Sequence, residues 1–233
     1  MTRLSIVAPV YNVEGNLYDL YWSITEAMKG KIESYEIVLV NDGSRDRSAA
    51  LLNEIAQMDQ GVRVIHFDKN YGQTAAVWAG MKNSSGELIA LIDSDLQTDP
   101  SDIFRLMPFI ERRDFVNGRR SDLKDTAIKK ISSRISNAVR KWITGDSLYD
   151  TGCPMKLFTR KVADSFHLYN GMHCFLPSLA KMNGFSVIEV SVTHHERKHR
   201  VSKFGIFSRA YVRFVDAMVI GWLKKRVILY RKL

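Results

Sequence analysis

The sequence predicts an α/β fold, a mostly parallel central sheet flanked by helices, with an amphipathic helix at the C-terminal end. Two observations predict it. Short apolar runs rich in β-branched residues alternate with stretches of helical periodicity from Leu4 to Ile92. Those runs contain few polar residues, as strands covered on both faces do. The length agrees: 233 residues, 45% hydrophobic and 25% charged, suit one domain with a short appendage.

The elements follow in order. Leu4–Val10, Glu36–Val40, Val62–Phe67 and Leu88–Ile92 read as strands, with helices near Gly15–Met28, Asp46–Met58 and Thr74–Lys82 between them. Pro100, with Asp99 and Ser101 around it, opens a helix over Asp102–Glu111. Phe115–Asn117 reads as a short strand, Ala127–Thr144 as a long basic helix, and Phe185–Thr193 as an alternating strand. A basic stretch, His194–Lys203, precedes a helical pattern from about Phe204 to Leu223. Met155 and Phe158 read as core. Residues 1–203 are therefore expected to form the catalytic unit, and 204–233 a basic amphipathic segment.

Charge is distributed unevenly. Lys and Arg outnumber Asp and Glu by 34 to 25, and the whole excess of +9 falls after Thr193. Such a pole needs an anionic partner or a solvated tail. Nucleic acid is one such partner, but no nucleic-acid module is recognisable, and none is expected to bind. Two cysteines, Cys153 and Cys174, make no disulfide framework, which points to a reducing compartment. No signal-peptide pattern is seen at the start, and no run approaches the ~18 apolar residues of a membrane span.

Ligands of parallel α/β sheets sit beyond the carboxyl ends of the strands. Neither a G-x-G-x-x-G fingerprint nor a P-loop is present. The first strand instead runs into Pro9, Tyr11 and Glu14, and the second into Asn41-Asp42-Gly43-Ser44. Asp42 there is a helix cap or a ligand for a base or ribose. The fourth strand ends in Asp93-Ser94-Asp95-Leu96-Gln97. Paired carboxylates after an apolar strand are costly unless something positive lies beside them, and a divalent cation holding a diphosphate meets that need. His194 and His195 are adjacent on a strand, point to opposite faces, and so do not readily share a metal.

In order and spacing, these segments resemble family 2 glycosyltransferases, and within them the dolichyl-phosphate mannose synthases and other polyprenyl-phosphate glycosyltransferases. The resemblance continues through Asn70-Tyr71-Gly72-Gln73-Thr74-Ala75-Ala76, Gly118-Arg119-Arg120, Asp150-Thr151-Gly152-Cys153 and Ser202-Lys203-Phe204-Gly205. It implies a glycosyltransferase-A fold, a GDP- or UDP-sugar donor, Mg or Mn, a polyprenyl phosphate acceptor and a role in the cell envelope. Pro9, Tyr11, Glu14 and Asp42, with Asp93, match the nucleotide pocket. Asp93, Asp95 and Gln97 match the metal ligands, and Arg120 the arginine near the transferred charge. Lys129, Ser133, Arg197 and Lys203 match the acceptor-phosphate residues. Lys129 stands where the family has Arg, keeping the charge without the bidentate fork. Arg200 stands where the loop has Gly.

Direct displacement by a phosphate oxygen inverts the anomeric centre and needs no strong base. A saccharide or other hydroxyl acceptor, the alternative, needs one, and Asp150 is the candidate. A non-catalytic scaffold on the same fold is a third reading, disfavoured by the intact Asp93, Asp95 and Gln97. Phe207, Tyr211, Phe214, Val215, Met218, Val219 and Trp222 form a stripe on the last helix, followed by Lys224, Lys225 and Arg226. That combination suits an anionic membrane surface and predicts a peripheral protein on the cytoplasmic face. The alternative is that the stripe packs on the domain or on a second subunit of a homo-oligomer.

Overall fold

The computed structural model describes residues 3–120, 148–195 and 206–226, with side chains in the last segment from 215 onward. The expected helix over 127–144, and Lys129, Ser133, Arg197 and Lys203, lie outside the described residues.

Seven strands form one sheet: β1 (Leu4–Val10), β2 (Tyr35–Asn41), β3 (Val62–His66), β4 (Leu88–Leu91), β5 (Phe115–Arg120), β6 (Lys156–Thr159) and β7 (Val187–Val192). Their order is β3-β2-β1-β4-β6-β5-β7. The described helices are α1 (Leu17–Met28), α2 (Ser48–Met58), α3 (Gln73–Asn83), α4 (Ile103–Ile110), α5 (Arg160–Ser165), α6 (Leu176–Met182) and α7 (Ile206–Lys224). Neighbouring strands are parallel, except that β6 runs antiparallel between β4 and β5.

Alternation along the strands builds two cores, one on each face of the sheet. Leu4, Ile6 and Ala8 of β1 pack with Leu17, Ile24, Leu52 and Leu106 of α1, α2 and α4. Val7 points the other way, to Val77 and Met81 of α3 and Leu176 of α6. On β6, Leu157 joins the first core and Phe158 the second, where its ring stacks on Phe115 at 5.0 Å. Burial of such side chains contributes roughly 1.5–3 kcal/mol each.

Every strand and helix expected up to Asp102–Glu111 is found to within one or two residues at most boundaries. The last of these is split, with a tight turn at Pro100–Asp102 capped by the Asp99 side chain before α4 begins. Three elements were not anticipated: β6, α5 and α6. Each is short, between four and seven residues, so hydrophobic periodicity has little length over which to register.

Helix α7 divides its two faces. Ala217 and Ile220 are buried in the second core. Val215, Met218, Val219 and Trp222 of the apolar stripe are 40–56% exposed. Lys224, Lys225 and Arg226 follow, all exposed, with the Arg226 guanidinium over the Trp222 ring. Among the described residues no helix is long and apolar enough to cross a membrane.

The turn after β2 tolerates little change. Gly43 has φ +63°, and a Cβ there would stand 2.2 Å from the backbone carbon of Lys69. Gly43→Ala is expected to destabilise the fold by about 2 kcal/mol, from both the left-handed backbone and the clash. Urea unfolding should show a lower midpoint with an unchanged slope, and an unchanged midpoint would refute the tight packing.

Candidate active site

The parallel register brings the carboxyl ends of β1, β2 and β4 to one edge of the sheet. The loops after β1 and β2 are stitched together. Asn12, at φ +50°, donates its N–H to Ser44 Oγ (3.0 Å) and accepts from the Arg45 N–H (2.7 Å). Glu14 donates its N–H to Asp46 Oδ2 (3.1 Å), and its own carboxylate accepts from the Arg47 N–H (2.8 Å). Pro9 lines the cavity described below, and Tyr11 is half-buried beside it in sequence.

Asp42 caps no helix, because α2 begins only at Ser48. Its buried carboxylate accepts from the N–H of Tyr71 (2.7 Å), the N–H of Gly72 (3.0 Å) and Asn70 Nδ2 (2.8 Å). It therefore pulls the Asn70–Gly72 loop onto the sheet edge. Burial pushes its pKa up, and the amide donors only partly oppose that.

The turn after β4 is held in an uncommon conformation. Leu96 has φ +60°, which for a branched non-glycine residue costs of order 1–3 kcal/mol. The surroundings fix it. Asp95 Oδ1 accepts from the Gln97 N–H (3.2 Å), and Asn16 Nδ2 donates to the Ser94 carbonyl (3.3 Å). Gln97 accepts the His195 N–H at its backbone carbonyl (2.8 Å), and its side-chain nitrogen donates to the His195 carbonyl (3.2 Å). Asp93 Oδ1 accepts from Gln73 Nε2 of α3 (3.0 Å). Asp93, Asp95 and Gln97 are thus brought together and braced from two sides.

On β5, Arg120 meets Asp150 in a fork. Its Nε donates to Oδ2 and Nη2 to Oδ1, both at 2.8 Å. Glu189 of β7 holds the Asp150 N–H (2.8 Å), and Asn117 donates to the Asp150 carbonyl (2.8 Å). Burial would raise the Asp150 pKa, but the hydrogen bonds and charge of Arg120 outweigh it and the net direction is down.

A cavity of about 260 Å³ opens between the Asp93–Gln97 turn, Arg120, α3 and β6. Three of its lining residues had no role assigned from sequence. Lys156 of β6 is 3% exposed, and its Nζ donates to the Cys153 carbonyl. Burial pushes its pKa down. His173 bonds Thr74 Oγ1 through Nδ1 (2.7 Å) and lies 3.3 Å from Cys174 Sγ. His194 lies with Nε2 3.3 Å from Gln97 Nε2, and its buried Nδ1 has no hydrogen-bond partner among the described residues. Its pKa is pushed down first by burial and then by the Arg120 charge. His195 is exposed, so the pair divides as strand alternation predicts. A lone lysine inside the apolar run Met155–Phe158 was the available signal for Lys156. Among the described residues no three His, Cys, Asp or Glu side chains form a ready metal cluster.

Residues 5–166 match the family model Glycosyl transferase family 2. The dodecaprenyl-phosphate galacturonate synthase of Rhizobium johnstonii is 36% identical over 226 residues, covering 94% of this chain and 66% of that protein. The undecaprenyl-phosphate 4-deoxy-4-formamido-L-arabinose transferase of Pseudomonas paraeruginosa is 38% identical over 208 residues, covering 86% and 60%. The chain thus spans less than two thirds of the length of these curated relatives. Among solved structures, a glucosyl-3-phosphoglycerate synthase from Mycobacterium tuberculosis, in complex with Mn2+, UDP and glucosyl-3-phosphoglycerate, superposes with TM-score 0.69 at 16% identity. That match covers 97% of this chain and 81% of the other. The fold is the glycosyltransferase-A fold, and the chain belongs to glycosyl transferase family 2.

Proposed function

We propose that the chain transfers a sugar, with inversion, from a nucleoside-diphosphate sugar to a polyprenyl phosphate. The observation that carries this is the Arg120–Asp150 fork. Both Asp150 oxygens are occupied and its basicity is depressed, so the residue best placed to deprotonate a hydroxyl is a poor base. A phosphate acceptor needs no base, since it is ionised near neutral pH. The names of the relatives, which are sugar transferases for dodecaprenyl and undecaprenyl phosphate, support the same acceptor.

The donor set fits a divalent cation. Asp93 and Asp95 supply hard carboxylate oxygens just past the end of an apolar strand. Asp93 and Asp95 would hold Mg or Mn with Gln97 beside them, and the cation would supply Lewis-acid stabilisation of the leaving diphosphate. The rest falls to this chain. Pro9, Tyr11, Glu14 and Asp42 shape the nucleotide pocket, with Asp42 acting through the Asn70–Gly72 loop. Arg120, aimed by Asp150, stabilises charge as it develops. Lys129, Ser133, Arg197 and Lys203 hold the acceptor phosphate against repulsion from the donor. An acceptor oxygen forms the new bond to the anomeric carbon, and the nucleoside diphosphate leaves with the electron pair. No proton moves.

Incubation with radiolabelled UDP- or GDP-sugars and polyprenyl phosphate should place label in the organic phase. Label passing only to a water-soluble saccharide would instead establish the hydroxyl-acceptor reading.

The acceptor places the reaction at a bilayer. Residues 1–203 serve as the catalytic unit and 204–233 as the contact, peripheral on the cytoplasmic face. Exposed Val215, Met218, Val219 and Trp222 beside Lys224, Lys225 and Arg226 support this. Each cation contributes on the order of 1 kcal/mol at an anionic surface, and salt reduces it. The full chain should sediment with phosphatidylglycerol vesicles. Reversing Lys224, Lys225 and Arg226 to Glu should move it to the supernatant, and sedimentation unchanged by that reversal would remove the segment as the contact.

A further inference from the structure

Lys156 is the odd charge of the cavity. It is 97% buried by its 3% exposure, yet its ammonium makes one hydrogen bond, to the Cys153 carbonyl. An ammonium has three N–H donors, so two remain without an acceptor among the described residues. Among the described residues no carboxylate lies within salt-bridge distance of it. Its neighbours across the sheet, Leu91 on β4 and Asn117 on β5, bring no charge. Burial makes the charged form of a lysine costly, and an anion brought against the amine favours that form.

Three other polar side chains of the cavity are already matched. Arg120 is paired with Asp150, Gln73 with Asp93, and His173 with Thr74. Asp150 and Asp93 attract Lys156 only at a distance; Asp150 is committed to Arg120, and Asp93 is also a carboxylate that the proposed cation engages. The diphosphate belongs with that cation at the Asp93–Gln97 turn. The wall left over, for the sugar, is the one lined by Lys156 of β6.

We infer that Lys156 is a specificity-determining residue that reads an acidic substituent on the donor sugar, so that the preferred donor is a nucleoside-diphosphate hexuronic acid. This rests on the nucleotide-sugar reading above. A carboxylate oxygen takes up the unspent N–H donors and supplies the missing counter-charge. A neutral hydroxyl supplies an acceptor but leaves the buried charge uncompensated.

Donor binding tests this without the acceptor. Calorimetry in the presence of Mn compares UDP-glucuronate with UDP-glucose, and GDP-mannuronate with GDP-mannose. In at least one pair the wild-type protein should bind the acid about tenfold or more tightly than the neutral sugar. Lys156→Met, similar in shape and uncharged, should bring the two within about twofold by weakening the acid. Lys156→Arg should keep part of the preference. Equal affinities in both pairs for the wild type overturn the inference, as does a Lys156→Met protein that still prefers the acid. If the methionine variant fails to fold, the wild-type comparison decides alone. Acid-selective binding without transfer to polyprenyl phosphate would remove the acceptor reading and leave this one standing. Transfer from neutral and acidic donors alike would do the reverse.

Discussion

Asp95→Asn should reduce sugar transfer by roughly 10²–10³-fold while leaving the fold intact. The amide is isosteric, and it can still accept the Gln97 N–H that Asp95 Oδ1 now accepts, so the turn keeps its brace. What it loses is the negative charge that makes a cation site beside Asp93. The separation of roles is measurable. In calorimetry with a nucleoside diphosphate, wild-type affinity should rise on adding Mg or Mn, and that of the variant should not. Identical affinity with and without metal in the wild type would remove the cation from the donor site. A variant that unfolds would show instead that the Asp95 charge serves the turn at Leu96.

Arg120→Met should cost about 2–3 kcal/mol of stability as well as most of the activity. The fork is partly buried, with side-chain exposures of 28% and 16%, and removing the arginine leaves Asp150 ionised without its partner. The figure sits below that of a fully buried pair because both groups keep some water. The pH dependence has a definite sign. Asp150 has its pKa lowered in the fold, so the pair's contribution is complete above the unfolded value of about 3.9. It is lost as pH falls through the lower folded value. Arg120→Met should flatten that acid limb in thermal melts. Asp150→Asn tells the two readings of Asp150 apart. As a general base it would be replaced by a group that takes no proton, and turnover would vanish at every pH. As the residue that aims Arg120, it would be replaced by a group with one remaining acceptor, and measurable turnover should survive with an unchanged pH profile.

The half of the fold from β1 to β4 was legible because its strands are mostly apolar runs separated by helices long enough to show their period. Asp93, Asp95 and Asp42 were legible for a related reason, as charges stand out where apolar strands end. Asp42 shows the limit of this. Its position was clear from sequence, but not that Tyr71 and Gly72, about thirty residues on, would take up its carboxylate. Arg120 and Asp150 were both identified, while their pairing was not, since it depends on β5 and the segment before β6 meeting in space. Lys156 was passed over because β6 is antiparallel and opens on a lysine, so it lacks the uniform apolarity of the buried parallel strands.

That inserted strand also sets an order of assembly. β1 pairs with β2, and β2 with β3, across about twenty-five to thirty residues of chain, but β4 pairs with β1 across about eighty, and β6 with β4 and β7 with β5 across about seventy. Closing a longer loop costs more entropy before any contact offsets it, and distant pairings are slow to form. The β1–β3 portion, with Asp42 at its edge, can therefore become ordered while the cavity beside β6 is still open. Arg120, Asp150 and Lys156 reach their places only when β6 docks. Substitutions that weaken the β4–β6 seam should therefore slow the last stage of refolding and delay the return of donor binding, with β1, β2 and β3 already protected from hydrogen exchange.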